Sequence, residues 1–339
     1  MEITFKTAPH KAVSFVESAV NKALDKAGYL IAEIKYDGVR GNIVVDNTAD
    51  SMWLSRVSKT IPALEHLNGF DKRWEMLLKD DRCIFPDGFM LDGELMVKGS
   101  DFNTGSGLLR TKWLKESNHE FDIGGVPPLK GSKVDFCLDP KKLKVVLYGV
   151  MPFDSMVSGE TYEVMNLLMR EHVKAMLPVL REHFPEIEWD ISESYEVYDM
   201  VELTALYEKA RADGHEGLVV KDPLAFYQRG KKSGFWKLKP ECEADGVIQS
   251  VNWGTPGLAN EGLVIGFNVL LETGRHVAAN NISQALMEEF TANVKEHGED
   301  FYTGWQCQVN YMEETSEGSL RHPSFAMFRG VESDPTVKM

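Results

Sequence analysis

The run Tyr29-Leu30-Ile31-Ala32-Glu33-Ile34-Lys35-Tyr36-Asp37-Gly38-Val39-Arg40 decides how the rest of this 339-residue chain is read. Its first six residues are almost wholly apolar and predict a short buried strand. At the strand's end stand an amine, a carboxylate two residues on, a glycine where the chain can turn, and a guanidinium. That order suits attack on phosphorus. A lysine performs it only as the free amine, so its pocket has to strip the proton by desolvation or through neighbouring cations. The four-residue pattern alone is weak, since a surface turn carries the same letters; its neighbours have to decide.

Upstream, residues 10–27 set Ala12, Val13, Phe15, Val16, Ala19, Val20, Ala23 and Leu24 at helical spacing and stop at Gly28, a suitable C-cap, which predicts one helix. Downstream, strands are predicted at 29–35, 41–46 and 51–57, a helix over about 61–79 begun by Pro62, and strands at 89–97 and 143–150. The Gly-, Pro- and Lys-rich segment 116–142 reads as a loop. Helix 160–182, strand 187–194, helix 198–213 and strands 216–221 and 234–239 follow. This mixture fits an α+β domain better than a regular parallel wound sheet. After Pro240 come short β-branched runs at 245–253, 262–271 and 305–312 with a helical stretch at 283–296, the texture of a small barrel such as an OB-fold. Lys239-Pro240-Glu241-Cys242-Glu243 is the natural hinge.

Composition sets outer bounds. The chain is too long for one ordinary core, which suggests two domains. It has no apolar stretch of membrane-spanning length and no basic-then-apolar signal pattern, so a soluble, cytoplasmic protein without membrane contact is expected. Cys83, Cys137, Cys242 and Cys307 are scattered without a Cys-x-x-Cys pair, against a zinc site or a disulfide framework. No Ser-His-Asp or Cys-His arrangement offers a rival nucleophile. The net charge of −15 is unusual for a binder of nucleic acid, but its distribution matters more. Arg229, Lys231, Lys232, Lys237 and Lys239 occur with no acid between them, whereas segments 160–183 and 198–213 hold many carboxylates. An acidic back and a basic working face are therefore expected, although Arg229 to Lys232 also fits a solvated loop.

Further segments follow the lysine motif in order: Ser55-Arg56, Asp92-Gly93-Glu94-Leu95, Leu147-Tyr148-Gly149, Glu216-Gly217-Leu218-Val219-Val220-Lys221, Trp236-Lys237-Leu238-Lys239-Pro240, and Arg321-His322-Pro323-Ser324-Phe325. With these motifs the chain resembles the ATP-dependent DNA ligases over nearly its whole length, and most closely the minimal two-domain branch of T-seven-type bacteriophages. The resemblance implies an α+β nucleotidyltransferase (ATP-grasp-like adenylation) domain over 1–240 and an OB-fold β-barrel over 241–339. It implies that Lys35 attacks the α-phosphorus of ATP to give a lysyl-AMP, that AMP passes to the 5′-phosphate of a nick, and that the adjacent 3′-hydroxyl displaces it.

The other roles follow from the same resemblance. Lys237 and Lys239, two apart on an extended segment and so on one side of it, would neutralise phosphate charge. Glu33 with the backbone of Ile34 would reach the amino edge of adenine, and Tyr148 would stack on the base, though an aromatic on an apolar strand fits a core equally. Arg40 and Glu94 would meet the ribose hydroxyls. Arg56 would meet the nucleotide or the 5′-phosphate of the nick. Lys221 is a candidate phosphate ligand or an exposed strand end. Asp37 would lie near the metal or the nick, and His215 reads as a surface residue.

Glu216 opens an apolar strand and Glu94 sits inside another, where an unpaired charge is costly, so Mg2+ (or Mn2+) is a natural partner for both; a structural salt bridge is the plain alternative. Arg56, Arg229, Lys231 and Lys232 are the DNA-binding candidates, with nicked duplex as partner and a monomer as the expected state. The C-terminal motif departs from the family, because Gly330-Val331 follows Arg329 where an acidic and a basic residue are usual. Arg321 and Arg329 thus both remain candidates for acting on ATP. An RNA ligase or a GTP-using capping enzyme shares the lysine motif and stands as the alternative. A non-catalytic binding module has no use for Lys35 beside two acids in apolar strands.

Overall fold

The computed structural model describes residues 1–239, 242–280, 282, 284–311, 314, 317–320 and 323–330. Pro240 and Glu241 of the expected hinge, and Arg321 and His322 of the C-terminal motif, lie outside them. Two compact units divide the chain, Met1–Leu238 and Lys239–Met339.

The first unit begins with a departure from the expected helix. Residues Lys11–Ser14 form strand β1, and only Glu17–Ala27 form helix α1. β1 lies parallel to a distant strand, Val13 opposite Trp236, and extended Val16 separates it from the helix. A run of small and β-branched residues satisfies either period, and tertiary pairing chose the strand. Gly28 ends α1 as expected, left-handed at φ 81° with its N–H on the Leu24 carbonyl. Strands β2 (Leu30–Lys35), β3 (Val39–Val45) and β4 (Asp50–Ser55) follow.

The helix expected over 61–79 is broken. It contains a 3-10 turn at Pro62–Leu67, the short strand β5 (Gly69–Phe70) and helix α2 (Lys72–Leu78), because Gly69 takes φ 101°. Next come β6 (Phe89–Val97) and helix α3 (Phe102–Arg110), which sequence reading missed. Gly105 and Gly107 lower its propensity, while the Asp101 carboxylate caps it by accepting from the Thr104 N–H at 2.8 Å. The segment 116–142 is largely irregular, with 3-10 turns at Glu116–Phe121 and Pro140–Lys142.

Strand β7 (Leu143–Pro152) leads to α4 (Phe153–Ser158), a helix not expected from the sequence that Gly159 ends at φ 78°, and to α5 (Asn166–His183), which starts six residues later than the helix expected over 160–182. The strand expected over 187–194 is two, β8 (Glu188–Ile191) and β9 (Ser194–Val197). Helix α6 (Met200–Ala212) and strands β10 (Gly217–Lys221) and β11 (Lys231–Leu238) complete the unit.

These strands form two sheets, one in the order β5-β4-β3-β6-β7-β8 and one in the order β1-β11-β10-β2-β9. The chain crosses between them twice, at Tyr36–Gly38 and at Ser192–Glu193. In the second sheet the cross-strand partners Ile34–Leu218, Ala32–Val220 and Val220–Trp236 share one face. That face is apolar and packs with Val20 and Ala23 of α1 and Leu203 and Ala210 of α6.

The second unit holds β12 (Cys242–Trp253), β13 (Val264–Leu271), β14 (His276–Ala279), helix α7 (Gln284–His297), β15 (Gln306–Tyr311) and β16 (Ser324–Gly330). It is the OB-fold domain, with one qualification to the expected barrel. Its sheet is open in the order β14-β13-β12-β15-β16: β14 is only four residues long, and among the described residues the two edges meet at one bridge, Asn280–Ser324. Its core is aromatic, centred on Phe267, Phe290, Tyr302 and Phe325.

Trp236→Ala is expected to cost about 3–5 kcal/mol in chemical unfolding followed by circular dichroism, since it empties the core under the second sheet. Lys232→Ala, exposed on the same strand, should stay within about 0.5 kcal/mol.

Candidate active site

Strand alternation builds the site. With Leu30, Ala32 and Ile34 turned into the core, Glu33 and Lys35 emerge together on the other face of β2. Cross-strand pairing of Glu33 with Val219, Val219 with Lys237, and Lys221 with Phe235 brings Lys221 and Lys237 to that same face. One side of the sheet therefore carries Glu33, Lys35, Lys221 and Lys237. Two buried acids balance these amines. The Lys35 ammonium is ion-paired with the Glu216 carboxylate immediately before β10. Lys221 lies 2.7 Å from Glu33 and 4.6 Å from the centre of the Phe235 ring. It is 5% exposed, so it is no exposed strand end. His215 is half-buried with its ring edge-on to Tyr36, not a plain surface residue.

The first sheet supplies the rest. After Lys35 the chain turns at Tyr36-Asp37-Gly38 into β3, and Gly38 is required there: a Cβ would stand 2.5 Å from the Leu95 carbonyl oxygen and 2.8 Å from Glu94 Cγ. Arg40 lies opposite Glu94 in register, yet its guanidinium makes a two-pronged pair with Asp92 at 2.6 and 2.7 Å. Asp92 also accepts from Asn42 at 3.1 Å and from the Tyr227 hydroxyl at 2.6 Å. Arg40 donates further to the His10 carbonyl at 3.1 Å.

Tyr148 is the extra residue of a β-bulge opposite Asp92 and Gly93, the distortion that re-aims a side chain at a site. Its hydroxyl donates to Glu94 at 3.3 Å, and the Arg40 guanidinium sits 4.8 Å from its ring centre. The structure thus brings Arg40, Glu94 and Tyr148 together, with Asp92 as the immediate partner of Arg40. Burial pushes the Glu94 carboxyl up to about 7, Arg40 and Lys35 oppose the shift, and the charge of Glu216 adds to it. The buried carboxylates of Glu94 and Glu216, both oxygen donors, fit a hard divalent cation. Among the described residues no group of three His, Cys, Asp or Glu could hold a metal. A Mg2+ that draws its other ligands from phosphate and water needs only one or two carboxylates.

The other expected residues fall as follows. The Ile34 N–H is taken by the Glu193 carbonyl at 2.9 Å; the amino edge of adenine donates and would need a backbone carbonyl, not this N–H. Arg229, expected on DNA, donates instead to backbone carbonyls of Lys6, Thr7, Ala8, Ser155, Met156 and Glu160, tying the N-terminal segment to the region of α4. Lys231, Lys232 and Arg56 are exposed, the last in the turn after β4. Asp37 is half-buried in the turn between β2 and β3. Lys239 opens the second unit, where Arg329 pairs with Asp245 at 3.1 Å.

Sequence reading passed over Asp92, although it shares an apolar run with Glu94 and the two-residue spacing signalled a shared face. It also passed over Arg170, Ser192, Tyr227 and His10, which no local pattern marks. Burial drives the His10 imidazole down to about 4. His10 stacks on Phe235 at 3.8 Å and accepts from the Gln228 N–H through Nδ1 at 3.0 Å.

Known proteins are similar to this chain over nearly its whole length. The family described as "ATP dependent DNA ligase domain" matches residues 9–239, and "DNA ligase C-terminal domain" matches 240–301 and 298–329. The DNA ligase of Enterobacteria phage T3 is 71% identical over 99% of each chain, and that of Escherichia phage T7 is 64% identical over 99% of this chain and all of the relative. The solved structure of the bacteriophage T7 ATP-dependent DNA ligase in complex with ATP is similar with a TM-score of 0.68 at 66% identity, covering 96% of this chain and 100% of that one.

The Glu94 shift has a testable sign. Its folded value, about 7, lies above the ordinary carboxylate value of 4.5, so the folded chain holds this proton longer and stability falls as pH rises through that window. Measured in metal-free buffer by thermal or urea unfolding, Glu94→Gln should gain on the parent by on the order of 3 kcal/mol between pH 4.5 and pH 8. A pH-independent difference would contradict this account.

Proposed function

The chain belongs to the ATP-dependent DNA ligases, and from this we propose that it seals nicks in duplex DNA through a lysyl-AMP formed on Lys35. The observation that carries this reading is the Lys35–Glu216 pair on a sheet face that also holds Glu33, Lys221 and Lys237. Such a face receives a triphosphate with little rearrangement of backbone, because strands fix the side chains. Identities of 71% and 64% with phage DNA ligases favour this function over RNA ligation or GTP-dependent capping.

In the first step the Lys35 amine attacks the α-phosphorus of ATP. A P–N bond forms, the P–O bond to pyrophosphate breaks, and the proton released from Nζ passes to the departing pyrophosphate or to water. Glu216 orients the amine, while Lys237 and Lys239 offset charge gathering on the phosphate oxygens, the main demand of phosphoryl transfer. Lys221 lies along the same strand face as a further phosphate ligand. Glu33 and Tyr148 receive the adenine, and Arg40 with Glu94 receives the ribose. Glu94 and Glu216 would hold Mg2+, which supplies positive charge at the phosphates when bound. In the second step the 5′-phosphate of the nick takes AMP from Lys35, with Asp37 and Arg56 nearest to it. In the third the 3′-hydroxyl attacks that phosphate and AMP leaves. Arg321 and Arg329 remain the C-terminal arginines for orienting pyrophosphate. Exposed Lys231, Lys232 and Arg56 form the DNA-facing cations of an acidic protein. A monomer acting in the cytoplasm of an infected bacterium completes the reading.

Intact-mass measurement after incubation with ATP and magnesium should show one adenylyl adduct on the parent chain. Lys35→Ala and Lys35→Arg should show none, since guanidinium stays protonated and is a poor nucleophile; an adduct on either variant overturns the assignment.

Binding of nicked duplex should weaken steeply with salt. Replacing Lys231 and Lys232 together with Ala should flatten the slope of log affinity against log salt by roughly one to two units. An unchanged slope would remove both lysines from the DNA surface.

A further inference from the structure

The carboxylate of Glu33 is 4% exposed and lies on the face of β2 that carries Lys35, roughly 7 Å along the strand from it. Its surroundings reach beyond the family motifs. Oε2 accepts from the Ser192 hydroxyl at 2.8 Å and pairs with the Lys221 ammonium at 2.7 Å. Oε1 faces Arg170 Nη1 at 3.9 Å, too far for a hydrogen bond, and that same Nη1 donates to the Ser192 carbonyl at 2.7 Å. Every group around the carboxylate is therefore a donor. Held between Lys221 and Arg170, the Glu33 carboxylate presents lone pairs, with Oε1 the less committed oxygen.

Ser192 occupies the two-residue link between β8 and β9, where the chain crosses from one sheet to the other, and is 1% exposed. Its own N–H is bonded to the Leu147 carbonyl at 3.2 Å, next to the bulged Tyr148, and the following residue, Glu193, accepts from the Ile34 N–H at 2.9 Å. The link thus ties the strand bearing Glu33 to the strand bearing Tyr148. Arg170 of α5 locks it from behind.

We propose that Arg170 and Ser192 are positioning residues that hold Glu33 as an acceptor-only reader of the purine 6-position, admitting an exocyclic amino group and rejecting a carbonyl. The proposal rests on the reading above that Glu33 meets the base. An amino group donates to Oε1, whereas the 6-carbonyl of guanine or hypoxanthine would set two acceptors against each other and leave a buried carboxylate oxygen unmatched, a cost that hydrogen-bonding sites exploit for discrimination. If Arg170 or Ser192 is lost, Oε2 or the link itself gains freedom, and the alignment of Oε1 with the amino group is what suffers.

The experiment compares self-adenylylation-type transfer from ATP and from purine riboside triphosphate, which lacks any 6-substituent, with inosine triphosphate as the carbonyl probe. The variants are Arg170→Gln, Ser192→Ala, Ser192→Thr and Glu33→Gln. Ser192→Ala and Arg170→Gln should raise KM for ATP about 5- to 20-fold with little change in kcat. They should leave KM for purine riboside triphosphate within about twofold, so the preference for ATP over it collapses by the same factor. Ser192→Thr, which keeps the hydroxyl, should restore the preference, and inosine triphosphate should stay poor with the parent chain.

If Glu33→Gln lowers the ATP preference while Arg170→Gln and Ser192→Ala do not, the positioning role is overturned and the base-reading role of Glu33 stands. If Glu33→Gln leaves the preference intact, the base-reading assignment itself is wrong and the positioning role falls with it. Equal loss of both nucleotides in Arg170→Gln and Ser192→Ala, without rescue by threonine, would make the two residues structural and overturn the proposal.

Discussion

A charged side chain carried into a protein interior has to meet a partner there, and in the larger unit this requirement falls on one face of a five-stranded sheet. Alternation along β2 sinks Leu30, Ala32 and Ile34 into the core, which forces Glu33 and Lys35 to the opposite face. β10 and β11 repeat the pattern: Leu218, Val220 and Trp236 go down, while Lys221 and Lys237 come up. The amines so collected are partly neutralised by Glu216 and Glu33. On the proposed reading, a triphosphate bearing its own negative charge would meet a surface already arranged for it, with the cost of assembling like charges met on folding.

The adjoining sheet solves the same problem through Asp92. This carboxylate is 1% exposed and is satisfied by Arg40, Asn42 and Tyr227 together. Such a buried pair contributes little net stability when intact, yet losing one partner leaves a stranded charge worth about 3–5 kcal/mol of destabilisation. What the pair secures is geometry. Arg40 is aimed across the Tyr148 ring, and Glu94, freed from pairing with Arg40, keeps a carboxyl that burial has pushed up to about 7 and that a cation can claim.

The acidic balance of the chain shows why net charge says little about partners. Of the cations between 229 and 239, Arg229 serves six backbone carbonyls, Lys237 belongs to the sheet face, and Lys231 and Lys232 remain exposed. Neighbours in sequence thus serve scaffold, sheet face and solvent in turn. Guanidinium geometry explains the division, since several carbonyls converging from two segments suit the planar, five-donor arginine and not a lysine.

Much of the fold was legible because period and punctuation are local: β2, β6, β7 and the apolar half of β10 carry their strands openly, and Gly28 ends α1 where expected. The failures lie where local signals tie. Ala12 and Val13 fit a helix or a strand until β11 lies alongside; one alternating stretch over 187–194 serves two sheets because the chain turns at Ser192; and α3 hides behind two glycines. In the site, the sequence by itself determined which residues could do the chemistry and which pairs share a strand face, because side-chain direction alternates along a strand. Only the tertiary structure decided who partners whom. Arg40 went to Asp92 and not to Glu94, Arg229 to the scaffold and not to solvent, and Arg170 and Ser192 to Glu33 from elements more than 130 residues away along the chain. Pairing across such separations is set by how whole sheets pack, and no local pattern encodes that.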